Sequence, residues 1–418
     1  MAQLTASPRI SVRQVLLREK NLRWYLGGQV LSLTGSLLQT AVQALLIIAI
    51  VGKEEAATWT GLVYAFALGP GALLGPFVGV LLDRFSKRNV MMVCATIGTV
   101  QALVFAYLTY TTSITVWTIN ALALIMGFVN AVDGPGRNAI IKDAVAHKHV
   151  EQSSALFTNL YSFAQVAGPG MAGYLVIAFG YPGTFLLNAL SFVALIIALA
   201  NMRLYPSVPR EHASVWGQVK EGARYTFGQP KICACALLTA VVCTFGFASF
   251  LLLAYLNKYV LGGGLAGFSN LSISSGAGWF AGTVLAVILT GRVRRRVPII
   301  AGMMLNGLSL LVLAATTDFL VAMVSVCVAG AGFMLTFSTT RASIVFHSKK
   351  ELMGMVSGYT FSFFFGGVLV CALVVAPLVD HLGSMLVLGF CGVSLLVASF
   401  VASRLRSINE LDIKDEDA

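Results

Sequence analysis

The sequence predicts an all-α membrane protein, with twelve transmembrane helices in two pseudo-symmetric six-helix halves. Three observations carry this. Of 418 residues, 57% are hydrophobic and 11% charged, with a mean hydropathy of +0.84; a soluble chain of this length needs far more surface charge. The apolar residues gather into runs of roughly 20 residues, the length at which a helix crosses a bilayer. The Lys and Arg residues cluster in alternate loops between those runs, as membrane orientation requires.

The runs lie near 24–51, 58–82, 89–111, 114–133, 152–178, 183–202, 232–257, 266–290, 297–317, 319–340, 355–379 and 383–403, numbered here as spans 1 to 12. Two joints carry little polar punctuation: Gly180-Tyr181-Pro182 and Thr316-Thr317-Asp318. With the N-terminus in the cytoplasm, 26 of the 28 basic residues fall on cytoplasmic segments, and only Lys53 and Lys258 fall outside. A wrong count would invert the later loops and erase this bias. The expected location is therefore the cell inner membrane, multi-pass, with both termini cytoplasmic. The expected organisation is a cytoplasmic arm (1–23), a first half (24–202), a central cytoplasmic loop (203–231), a second half (232–403) and a cytoplasmic tail (404–418). Gly127, Phe128 and Arg137 close span 4 much as Gly332, Phe333 and Arg341 close span 10. Such a repeat implies a pseudo-twofold axis along the membrane normal and a solute cavity between the halves.

Other classes find little support. The net charge of +11 is spread over many short loops, without the basic tail or stripe of a nucleic-acid binder. Seven cysteines, an odd number without a CxxC pair, indicate neither a disulfide framework nor a zinc site, and no metal is expected. No phosphate-binding loop, nucleophile elbow or HExxH occurs, so the chain does not read as an enzyme. Arg9, Arg13, Arg18, Lys20 and Arg23 precede the first run like a signal's basic region, but that run is too long for a signal core and should stay as span 1.

The sharpest motif joins spans 2 and 3: Gly79, then Asp83, Arg84, Phe85, Ser86, Lys87 and Arg88. It resembles the G-x-x-x-D-R-x-x-R/K-R signature of the major facilitator superfamily. The resemblance implies a conformational latch of Gly79, Asp83, Arg84, Lys87 and Arg88, closing the cytoplasmic side of the outward-facing state. Asp83 would cap a neighbouring helix N-terminus or pair with an arginine. The matching loop of the second half, Gly291 to Arg296, keeps the bases but lacks the aspartate. In span 5, Gly168-Pro169-Gly170-Met171-Ala172-Gly173 is similar to the G-P-x-x-G-G motif of superfamily antiporters, with Ala172 replacing one glycine. Gly168, Pro169 and Gly173 are expected to kink the span and pack it tightly, against the second half. The stretches Asn130–Arg137 and Phe185–Phe192 resemble the exporter branch that holds the enterobactin exporter and the macrolide efflux pumps.

Polar residues inside spans are costly and therefore informative. Gln39, Gln43, Asn159, Tyr161, Gln165, Trp279 and Tyr359 are candidates to line a cavity for a small, bulky, amphiphilic organic solute. For each one, plain interhelical hydrogen bonding is an equal alternative. Asp133, Arg137 and Arg341 sit at cytoplasmic span ends and are candidates for a gate. No charged residue lies mid-span, so the coupling ion, H+ among the candidates, stays open; no cofactor is expected. The resemblance implies a secondary active exporter of a siderophore-like or drug-like solute, embedded in the lipid bilayer as a monomer. Siderophore uptake or lysolipid flipping on the same fold, and a non-transporting membrane sensor, are the alternatives.

Overall fold

A computed structural model describes residues 19–146, 149–202, 215–349 and 352–412. Among the described residues there is helix throughout and no strand. Span 1 is Lys20–Ile50, span 2 Ala56–Arg84, span 3 Lys87–Tyr110 and span 4 Val116–Ala144. Spans 5 and 6 are the two arms of one long helix, Val150–Ala200. The arms part at Gly180, whose φ of 67° and ψ of 176° no side chain tolerates well. Residues on both arms, Gly168 and Asn188, pack on span 1, so the chain doubles back there. Among the described residues, eleven continuous helices are therefore long and apolar enough to cross a membrane, and the Gly180 break makes twelve spans.

A short helix, Val215–Gly228, precedes span 7 (230–259), which carries a wide π turn at Val242–Gly246. Spans 8, 9 and 10 are Leu265–Leu289, Arg296–Ala315 and Phe319–His347. Span 11 runs from Met353 to Leu382 with a second π turn at Cys371–Val375, and span 12 is Ser384–Arg404. The helices form because their backbones can satisfy their hydrogen bonds internally in lipid. Side chains such as Leu103, Tyr107, Ile197, Val287 and Leu386 face outward and exposed, the arrangement lipid requires.

Within the first half, span 1 packs along both arms of the long helix, span 3 on spans 4 and 6, and span 2 on span 4. In the second half the main pairings are 8 with 10, 9 with 10 and 9 with 12. The halves meet where span 5 packs on span 8 and span 2 on span 11. A twofold exchange of halves, taking 2 to 8 and 5 to 11, converts one pair into the other. Both contacts need glycine for close approach: a Cβ on Gly173 would overlap the Leu265 carbonyl, and one on Gly61 the Ala372 carbonyl. The backbone stays helical through Gly168, Pro169 and Gly173, so the expected span-5 kink is not a break. Pro169 removes one backbone hydrogen bond, and the glycines beside it face Thr34 and Leu37 of span 1 on one side and Ile273 of span 8 on the other.

The described ends of spans 2, 4, 6, 8 and 10 lie at one end of the bundle, called here the basic end. Lys87 pairs with Asp143 at 2.7 Å and Arg88 donates to the Ala200 carbonyl at 2.8 Å, so these two latch residues brace spans 3, 4 and 6 inside the first half. At Gly79, Asp83 and Arg84 the described structure is the helical backbone, and what the Asp83 and Arg84 side chains meet lies outside it.

Candidate functional site

Near the basic end, span 4 contributes Asp133 and Arg137, one turn apart and joined in an ion pair. Tyr25 of span 1, fully buried, donates its hydroxyl to the Arg137 carbonyl at 3.1 Å. Phe157 and Tyr161 of span 5 continue this cluster, with ring centroids 6.2 and 6.4 Å apart along Tyr25, Phe157 and Tyr161. From the second half comes Arg341 of span 10, exposed, its guanidinium 4.9 Å from the Phe361 ring centre. Tyr161 lies within electrostatic reach of both arginines. Asp133, Arg137, Tyr161 and Arg341 therefore gather at the boundary between the halves.

A row of rings leads away from Arg341. Phe361 and Phe365 stack at 6.3 Å, Phe365 meets Phe364 at 5.3 Å, and Phe364 meets Phe337 at 5.1 Å. Phe337 stacks on Phe333, and Phe333 on Trp279 at 5.7 Å. Trp279 meets Phe250, which reaches Tyr64 of the first half at 6.2 Å. Of the sequence candidates, Trp279 belongs to this row; the run of phenylalanines at 361–365 was the signal for its span-11 part.

The amides sort differently. Gln39 is buried and makes no cavity wall: its Nε2 donates to Gln101 at 2.8 Å, and its Oε1 accepts from Asn188 at 2.7 Å. Gln101 passes the chain on to the Leu122 carbonyl, so one polar relay ties spans 1, 3, 4 and 6. Gln43, one turn along the same face, is also buried. Tyr359 packs against Gly222 of the short helix at the basic end, away from a midplane chamber. Asn159 is exposed. It shares a helical face with Val166 and Gly173, which touch span 8 further along, so it looks across the gap where the halves part. Gln165 is half-buried on the Tyr161 face.

At the opposite end the halves are tied. The Asp380 carboxylate of span 11 accepts from the Ala57 and Thr58 amides at 3.1 and 2.7 Å, capping span 2. Lys258 of span 7 donates to the Ile48 carbonyl at 2.7 Å at the end of span 1, with the Tyr259 hydroxyl beside it on Val51. An anion thus meets a helix N-terminus and a cation a helix C-terminus, each the favourable sign for the helix dipole. Gly173 and Tyr174 add bonds to Ser269 and Asn270 at 2.9 and 2.6 Å. Six hydrogen bonds between the halves lie in this part of the molecule. Asp380 and Lys258 were not singled out from sequence, although Lys258 stood out as one of two bases off the basic end.

The family model of the Major Facilitator Superfamily matches residues 25–370. The chain belongs to the Major Facilitator Superfamily. This superfamily member is 28% identical over 189 residues to the MFS-type transporter YfiS of Bacillus subtilis, covering 44% of each chain. It is 26% identical over 145 residues to the staphyloferrin A transporter of Staphylococcus aureus, covering 34% of this chain and 36% of that one. The match thus spans less than half the length of either relative. Over 400 residues it is 22% identical to macrolide efflux protein A of Streptococcus pyogenes, covering 93% and 96%. A bacterial homologue of the lysosomal transporter Spinster, solved inward-facing and unoccupied, superimposes with a TM-score of 0.73 at 14% identity, covering 96% and 100%. That likeness shows the fold alone. The superfamily member is a multi-pass membrane transporter and not an enzyme.

Proposed function

We propose that this transporter exports a siderophore-like or drug-like amphiphilic solute from the cytoplasm by alternating access. The carrying observation is that six hydrogen bonds tie the two halves together at the end opposite the basic end. The basic end, by its Lys and Arg content, faces the cytoplasm of the inner membrane, with both termini there. The solute then loads through the basic end, between Arg137 and Arg341, while Asp380 and Lys258 keep the outer end shut. In the other state Asp83 and its basic neighbours latch the cytoplasmic end, as the superfamily motif implies. Export is supported by the Gly168–Gly173 stretch, whose Gly170 and Gly173 lie on the span 5–8 contact, and by relatives named for macrolide efflux. The siderophore-like class is supported by the staphyloferrin A transporter relative. One chain suffices for the cycle, and the coupling ion moves opposite to the solute.

Inside-out membrane vesicles test direction, since their cytoplasmic face is outside. With labelled macrolide or siderophore added externally and an ion gradient imposed, the lumen should accumulate solute. Accumulation only by right-side-out vesicles would replace export with uptake, a reading to which the exposed cation of Arg341 also lends support.

A further inference from the structure

Spans 4 and 10 are counterparts, and their basic-end turns differ in one respect that sets the charge of the cleft. In span 4 the residue one turn before Arg137 is Asp133, and the two neutralise each other. In span 10 the residue one turn before Arg341 is Phe337, a member of the ring row. Arg341 has no carboxylate partner among the described residues; it is exposed and rests on the face of Phe361. From the first half Tyr161 lies within its electrostatic reach, and the tyrosine hydroxyl is an uncharged group that donates and accepts. The cluster of Asp133, Arg137 and Arg341 therefore carries one uncompensated positive charge, and beside it stand the half-buried rings of Phe337, Phe361 and Phe364.

A guanidinium stacked on one ring keeps its in-plane N–H groups free to grip a carboxylate in two parallel hydrogen bonds. Rings a few ångströms away offer faces on which an apolar or aromatic body can lie. A cation could use the ring faces, but beside Phe361 it would meet the like charge of Arg341 at short range.

We infer that Arg341 is a substrate-binding residue selecting solutes that pair a carboxylate with an aromatic or apolar body. The acid binds Arg341 with Tyr161 beside it, and the body lies along Phe361, Phe337 and Phe364. This deepens the export reading and rests on the same cleft, but it concerns binding and is independent of direction.

The test is equilibrium binding to the purified full chain in nanodiscs. Three probes share one ring system: 2-naphthylacetate, 2-(2-naphthyl)ethanol and 2-(2-naphthyl)ethyltrimethylammonium. The wild type should bind the acid about tenfold more tightly than the alcohol, the scale of one charge-assisted hydrogen bond net of hydration, and the cation most weakly. R341Q should erase the preference for the acid, with acid affinity falling far more than alcohol affinity; R341K should keep part of the preference. A wild type with no preference for the acid overturns the proposal. So does an R341Q chain that keeps the preference, or one that loses acid and alcohol binding equally, which would mark Arg341 as a packing residue. Accumulation in the wrong vesicle orientation would overturn export alone and leave this selectivity standing.

Discussion

Asp133 and Arg137 occupy one turn of span 4 and neutralise one another, whereas Phe337 and Arg341 occupy the same turn of span 10 and leave a charge. The spacing made the first pairing legible in the sequence; the second became informative only once the rings of spans 8, 10 and 11 were seen to converge. Amides were harder to read. Gln39 in an apolar run is costly for either of two reasons, and sequence cannot tell a ligand contact from a helix-to-helix bond. Its partners, Gln101 and Asn188, lie 62 and 149 residues away, a separation that periodicity cannot bridge. Replacing Gln39 with Leu strands buried polar atoms on both partners. It should cost about 1–2 kcal/mol of stability, toward the upper range for interhelical hydrogen bonds in membranes. Thermal unfolding should shift down while 2-naphthylacetate binding holds. The reverse pattern, lost binding with intact stability, would return Gln39 to the cavity wall.

Elements were legible wherever hydrophobic length and loop charge spoke together, which covers most of the spans. The weak joint at Gly180 proved to be a reversal made by a single residue with positive φ. Gly180→Ala should cost about 1–3 kcal/mol, the usual strain of a side chain in that backbone region, read as a lower unfolding temperature; an unchanged value would mean the turn relaxes without cost. At Pro169 one backbone hydrogen bond is lost while the dihedrals around it stay helical. The small-residue face of span 5 matters for a different reason, the approach to span 8. Gly173→Val should force these spans apart, abolish vesicle transport, and suppress disulfide formation between cysteines placed at Tyr174 and Asn270. Efficient cross-linking and transport in that variant would show that the contact is not required.

At the scale of the whole molecule, the proposed cycle rocks the two halves against each other, with a tie closing each end in turn. The outer tie rests on Asp380 and Lys258, at the ends of spans 2 and 1. Its counterpart is assigned to Asp83 by motif resemblance. Removing a charged cap costs about 1 kcal/mol, roughly a fivefold change in the ratio of states. D380N should therefore shift the population toward outward opening, and D83N toward cytoplasmic opening. The measurement that bears most directly on alternating access is a pair of spin-label distances in the same preparation. One pair, at Asn89 and Arg292, spans the basic end; the other, at Ser113 and Thr317, spans the outer end. The account predicts that in D380N a second population appears in which the basic-end distance shortens as the outer-end distance lengthens. Distances that stay fixed in D380N, or that lengthen together at both ends, would contradict it.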